Sequence, residues 1–277
     1  MATMFDLPAQ ACADFARDGA VVVRAAFTPE QVALVARGID RNLADPSALA
    51  LVASDPDDPG KFVEDFRNWD RIDEYGQFIR ESAAASIAQQ LMASATVRLH
   101  HDHMLTKAAN TRQRTPWHQD QPYYNIDGFQ NVSMWMPVDP VPRESTLEFV
   151  AGTHRGPWLM PRTFKDNEAK WFPEGALAEL PEVEADRDSF PILGWELEPG
   201  DALFFHMLTL HGSAGSQSRR RAFSVRFVGD DARHALRRWK TSPPFEDLEP
   251  PIADGAPFDH PLFPLLIGTV PDPGSNA

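Results

Sequence analysis

The stretch TPWHQDQPYY, residues 115–124, sets a histidine and an aspartate two positions apart, His118 and Asp120, among aromatic residues. In a β-strand such positions share a face, so an imidazole and a carboxylate here can aim at one ion. Two donors leave a first-row metal short of ligands. The third must come from elsewhere, and His206 and His211 in FFHMLTLHGSAG are both candidates. Two histidines and one carboxylate on one face of an octahedral ion leave positions open for a chelating co-substrate and dioxygen, as in non-heme Fe(II) oxygenases. The same donors around an activated water would serve a zinc hydrolase. A catalytically silent jelly-roll barrel that binds a small molecule is a third reading.

These residues need a frame to hold them. From about residue 97 onward, short β-type runs alternate with Pro, Gly and Asp: VRLHHDHMLTK, VSMWMPV, LEFVAG, GWELEPG, DALFFH and RAFSVRFV. Without interleaved helical patterns, they predict an antiparallel sandwich or barrel of the jelly-roll kind. The first third reads as mostly helical. Residues 8–17 carry helical spacing, GAVVVR is a short buried strand, and Thr28 caps an amphipathic helix that begins at Pro29 and carries Val32, Leu34, Val35 and Ile39 on one stripe. IDEYGQFIRESAAASIAQQLMAS returns to helical composition.

The expectation is one domain over residues 1–277, mainly β with α. Residues 1–95 form a helical cap, residues 96–230 a double-stranded β-helix, cupin-like core, and residues 231–277 a C-terminal extension. Residues 155–190 form a long insertion over the barrel mouth, of a length usual for functional loops.

Composition narrows the partners. A formal charge of -14 argues against nucleic acid and anionic membranes, which need clustered cations. Cys12 is the only cysteine, which excludes an intrachain disulfide and a cysteine-rich zinc site and fits a reducing cytoplasm. No apolar run approaches membrane-spanning length, and Asp6 and Asp14 interrupt the start where a signal peptide would be apolar. A small-molecule substrate is the partner that this leaves.

WHQDQPYY, followed by SMWMPVDPVPRESTLEFVAGTHR and PGDALFFHMLTLHGSAGSQSRRRAFSVRF, resembles the phytanoyl-CoA dioxygenase family of Fe(II)- and 2-oxoglutarate-dependent oxygenases. The resemblance covers about residues 99–229. It implies that His118, Asp120 and His211, the last in a His-Gly-Ser sequence, are the iron ligands and catalytic centre, and that His206 is a decoy. It further implies dioxygen and 2-oxoglutarate as co-substrates, release of succinate and carbon dioxide, and hydroxylation of an unactivated C–H bond. With Asp120 present, halogenation, which needs that position vacated for chloride, is disfavoured.

A 2-oxoglutarate enzyme also needs a cation for the distal carboxylate, and a guanidinium can bond it in bidentate fashion. In RRRAFSVRF, Phe223, Val225 and Phe227 share one face; Arg220, Ala222, Ser224 and Arg226 share the other. Placing the small-residue face inside, where a diacid needs room, selects Arg220 over Arg221, and the family's arginine falls on the same position. The resemblance also puts Lys107, Trp135, Ser213 and Gln119 around the co-substrate, although Gln119 should face away from the metal in an ideal strand. For the substrate, the candidates are Tyr123 and Tyr124, whose alternative is packing against the helical cap, and Arg162, Lys165 and Lys170 in the insertion.

Overall fold

The structure, a computed structural model, describes residues 3–161, 177–246 and 248–269. The chain opens with α1 (Ala9–Asp18), β1 (Ala20–Val23) and α2 (Pro29–Ala44), then β2 (Leu51–Val52), β3 (Phe62–Phe66), α3 (Asp73–Glu81) and α4 (Ala84–Met92). Ten strands follow: β4 (Val97–Lys107), β5 (Thr115–His118), β6 (Ile126–Asp127), β7 (Asn131–Pro137), β8 (Leu147–Val150), β9 (Ile192–Gly194), β10 (Ala202–Phe205), β11 (His211–Ser213), β12 (Arg220–Val228) and β13 (Arg233–His234). The described chain ends with β14 (Leu265–Ile267).

Two antiparallel sheets make the double-stranded β-helix. The larger runs β1-β10-β7-β12-β4-β3-β2, with β14 also on β4; the smaller runs β5-β11-β8-β9. Their inner faces meet in a cluster in which Trp135, Leu203, Phe205 and Ala222 of the large sheet pack with Leu147 and Phe149 of the small one. The outer face of the large sheet is equally apolar. Met104, Met134, Phe223, Val225 and Phe227 there bury against Val35, Ile39, Tyr75, Phe78 and Ile87 of the helices, and Tyr75 stacks on Phe223 at 4.2 Å. The period-two split expected for β12 is therefore realised, with aromatic residues toward the helices and arginines toward the interior.

Local signals explain where α2 begins. The Thr28 side chain accepts from the Gln31 backbone N–H while the Gln31 side chain accepts from that of Thr28, a reciprocal cap with Pro29 at the first turn.

Several elements differ from the sequence expectation. The first 95 residues supply three strands as well as four helices, since β2 and β3 extend the large sheet beyond β4. β3 reads FVEDF, and its buried acids hide the apolar signal: Asp65 accepts from Ser47 and Asn42, and Glu64 pairs with His103. GWELEPG forms no extended strand: Gly194 ends β9, and Leu197 and Pro199 make isolated bridges to Val141 and Asp201.

Asp102, wholly buried on β4, takes the backbone N–H groups of Asn68 and Trp69 and so fixes the turn before α3. Burial outweighs those donors and pushes its carboxyl up to about 7. In the unfolded chain it ionises near pH ~4. The native state thus binds the extra proton between about pH 4 and pH 7, and its contribution to stability is lost as pH rises across that window. Asp102→Asn, whose amide oxygen still accepts both N–H groups, is expected to flatten that dependence. Urea midpoints at pH 5 and pH 8 should differ less in the variant than in the unaltered protein.

Among the described residues no helix is long and apolar enough to cross a membrane. Of the insertion 155–190, the two ends are described, tied by a parallel bridge between Leu159 and Ala178. Arg162, Lys165 and Lys170 lie outside the described residues.

Candidate metal centre and its cavity

His118 ends β5 and His211 begins β11, and the two are direct cross-strand partners. Asp120 joins them by a different route from the one expected. The strand stops at His118, and Asp120 has helical backbone angles at the head of a single 3-10 turn, residues 121–123. Two N–H groups, those of Asp120 and Gln121, donate to the Met207 carbonyl at 2.7 and 3.0 Å. This latches the Asp120 turn to the segment leading to His211.

Each donor atom is oriented by its neighbours. His118 Nδ1 bonds the Pro116 carbonyl at 2.8 Å and His211 Nδ1 the Thr209 carbonyl at 2.9 Å. A carbonyl only accepts, so both Nδ1 atoms carry the proton and both Nε2 atoms present a lone pair. Asp120 Oδ2 accepts from Ser133 Oγ at 2.7 Å and from Arg226 Nη2 at 3.3 Å. That leaves Oδ1, which lies 3.6 Å from His118 Nε2 and 3.9 Å from His211 Nε2. Three donors within 4.8 Å of one another, all buried, can hold one metal ion. Burial pulls His211 down to about 3, which keeps the ring neutral as a metal donor must be. For Asp120, burial works against ionisation, but the Arg226 guanidinium outweighs it and holds the carboxyl well below its usual range.

His206 takes no part: its Nε2 bonds the Phe129 carbonyl at 2.8 Å.

The triad opens on a cavity of about 500 Å³ between the sheets. Arg220 and Trp135 line it, with the guanidinium 5.5 Å above the indole. Arg220 donates to the Ser145 carbonyl and, at 3.4 Å, to Ser213 Oγ. Among the described residues no carboxylate pairs with it, and burial pulls it down to about 10. Lys107 is its cross-strand partner, donating to Ser213 Oγ at 3.3 Å and to the Ala214 carbonyl at 2.9 Å. Burial and the Arg220 charge hold Lys107 well below its ordinary value. Arg221, in contrast, points to the outer side and pairs with Asp139 at 2.9 Å and Asp40 at 2.8 Å.

Gln119 is a correction: it does not border the cavity. Its amide donates to the Leu208 and Pro157 carbonyls and accepts from the Leu159 N–H. Standing between two inward residues, it faces outward and anchors the start of the insertion. Tyr123 and Tyr124 do line the cavity. Their backs pack on Phe245, Phe258 and Phe263 of the C-terminal segment, not on the helical cap.

Several residues of the site went unread in the sequence. Arg226 shares the inward face with Arg220, so its signal was present. Ser133, Glu64 and His103 carried none, and residues 240–244 form part of the wall although they sit far along the C-terminal extension.

A double-stranded β-helix with two histidines and one carboxylate converging between its sheets is the architecture of a non-heme metal enzyme. The family model for phytanoyl-CoA dioxygenase (PhyH) matches residues 15–222, and the chain belongs to that family. A "Probable phytanoyl-CoA dioxygenase" of Caenorhabditis elegans is 32% identical over 123 residues. That match spans 43% of this chain and only 37% of the relative. Among solved structures, the epimerase SnoN in complex with Fe3+, alpha ketoglutarate and nogalamycin RO superposes with a TM-score of 0.72 at 21% identity, over 93% of this chain and 97% of SnoN. EctD from S. alaskensis, with 2-oxoglutarate and 5-hydroxyectoine, gives a TM-score of 0.65 at 19% identity, over 91% of this chain and 85% of EctD.

Proposed function

We propose that the chain is an Fe(II)- and 2-oxoglutarate-dependent dioxygenase that hydroxylates an unactivated C–H bond of a small molecule. His118, Asp120 and His211 would hold the iron, and Arg220 would receive the distal carboxylate of 2-oxoglutarate. The observation that carries this reading is the buried Arg220, lacking a carboxylate partner among the described residues, in the wall of a cavity that opens on a three-donor metal site. Buried charges are ordinarily paired, and a dianionic co-substrate supplies the missing charge. A zinc hydrolase would leave Arg220 without a counter-ion.

When bound, iron and its co-substrate supply the activation of dioxygen and the oxidative decarboxylation that yields succinate and carbon dioxide. The chain's part is orientation. Ser133 and Arg226 hold Asp120 by one oxygen so that the other is directed inward. Trp135 and Ser213 fix the Arg220 fork. Tyr123, Tyr124, Phe205 and Leu147 wall the reacting space with apolar surface and keep bulk water out.

Anaerobic addition of Fe(II) and then 2-oxoglutarate to metal-free protein should give the weak visible charge-transfer band of the chelated complex, and admission of oxygen should release succinate. Tight zinc binding with no such band would favour the hydrolase, and neither metal nor co-substrate binding would favour a silent binding protein.

A further inference from the structure

Glu64 is an acid in the wall of the cavity with no lysine or arginine at ion-pair distance among the described residues. It sits on β3, is 5% exposed, and lines the same space as the triad. Among the described residues its side-chain bond is to His103, Oε2 accepting from Nε2 at 3.2 Å. His103 is itself buried, stacks on Phe66 at 3.9 Å between ring centres, and its Nδ1 has no partner among the described residues. Burial and the Arg226 charge push the imidazole down from its ordinary value, so it is neutral near pH 7 and brings no positive charge. Among the described residues no lysine or arginine pairs with Glu64. Lys107, which feels the Glu64 charge without an ion-pair contact, is hydrogen-bonded to Ser213 and Ala214, and Arg226 to Asp120 and Tyr124.

We infer that Glu64 is the subsite for a cationic nitrogen of the substrate, so that the substrate class is small, largely apolar amines; this rests on the proposed oxygenase reading. A buried carboxylate is costly unless paired, and a ligand ammonium completes the pair. The surroundings suit such a group: the aromatic residues Phe66, Tyr123 and Tyr124 line the same cavity, and aromatic rings attract cations. The rim suits the apolar body, since Leu51, opposite Glu64 in the β2–β3 register, and Val52 are 50% and 57% exposed at the mouth. A protein of charge -14 also draws cations toward itself. β3 stands two strands from β12, the strand of Arg220 and Arg226. At roughly 4.8 Å per strand, the amine therefore sits about 10 Å to the side of the co-substrate anchor.

The test uses 2-naphthylmethylamine, the neutral isostere 2-naphthalenemethanol, and 2-naphthoate. Each is titrated calorimetrically and anaerobically into the full chain with Fe(II) and 2-oxoglutarate. The amine should bind at least tenfold more tightly than the alcohol at pH 7, and Glu64→Gln should bring the ratio close to one. If that variant does not fold, Glu64→Asp, which withdraws the carboxylate by one methylene, should lower the ratio. Equal or tighter binding of the alcohol or naphthoate, no binding of the three at millimolar concentration, or a preference that survives Glu64→Gln in folded protein overturns the assignment. The heat of amine binding is read independently of the charge-transfer band, so loss of the band alone sinks the iron reading and leaves the amine site standing.

Discussion

Arg220→Leu should weaken 2-oxoglutarate binding on the order of 10²–10³-fold, the range for removing one partner of a buried, hydrogen-bonded charge pair. Fe(II) affinity should be nearly unchanged, because among the described residues Arg220 donates to Ser145 and Ser213 and not to the triad. Arg221→Leu is the contrasting variant. Its guanidinium pairs with Asp139 and Asp40 on the other side of the strand, so co-substrate affinity should stay as it was. Titrating the charge-transfer band with 2-oxoglutarate measures both. A loss in Arg221→Leu with none in Arg220→Leu would mean that the register of β12 is misassigned and that the buried cation has another purpose.

The second large effect concerns the metal. His211→Ala removes one donor of three, and the Fe(II) affinity should fall by more than ~100-fold, beyond the 10–100-fold usual for groups that merely orient a ligand. Ser133→Ala keeps all three donors and loses only the 2.7 Å bond to Asp120 Oδ2, so its loss should be on the order of tenfold. Competition against a chromophoric chelator gives both values. If Ser133→Ala cost as much as His211→Ala, Asp120 would have to be held by Ser133 alone, and Arg226 would add nothing to its orientation.

The parts of this site that were legible in the sequence are those with a short-range period or a motif. Arg220 could be told from Arg221 because side chains alternate along a strand, and that rule needs nothing beyond β12 itself. His118 and Asp120 were legible as a pair, but for an incomplete reason: the strand ends between them, and a turn latched to Met207 brings the carboxylate round. Choosing His211 over His206 needed the motif, since both lie in one apolar segment and only the fold reveals that His206 turns to Phe129. Glu64 and His103 were illegible because their pairing joins β3 to β4 across the sheet, and a buried acid in FVEDF looks like a surface residue. The wall at residues 240–244 is long-range in the same sense. No local pattern says that the C-terminal segment returns to the cavity.

The backbone latch around the triad has a thermodynamic consequence. His118 and His211 are cross-strand partners, and the Met207 carbonyl ties the Asp120 turn to the segment that carries His211. The ordering of these donors is therefore part of the folding free energy and is complete before an ion arrives. Association then carries little conformational entropy penalty from the chain. What remains to be overcome is chiefly the dehydration of the ion, so discrimination among divalent metals falls to the hardness and number of the donors and not to any closing motion of the protein.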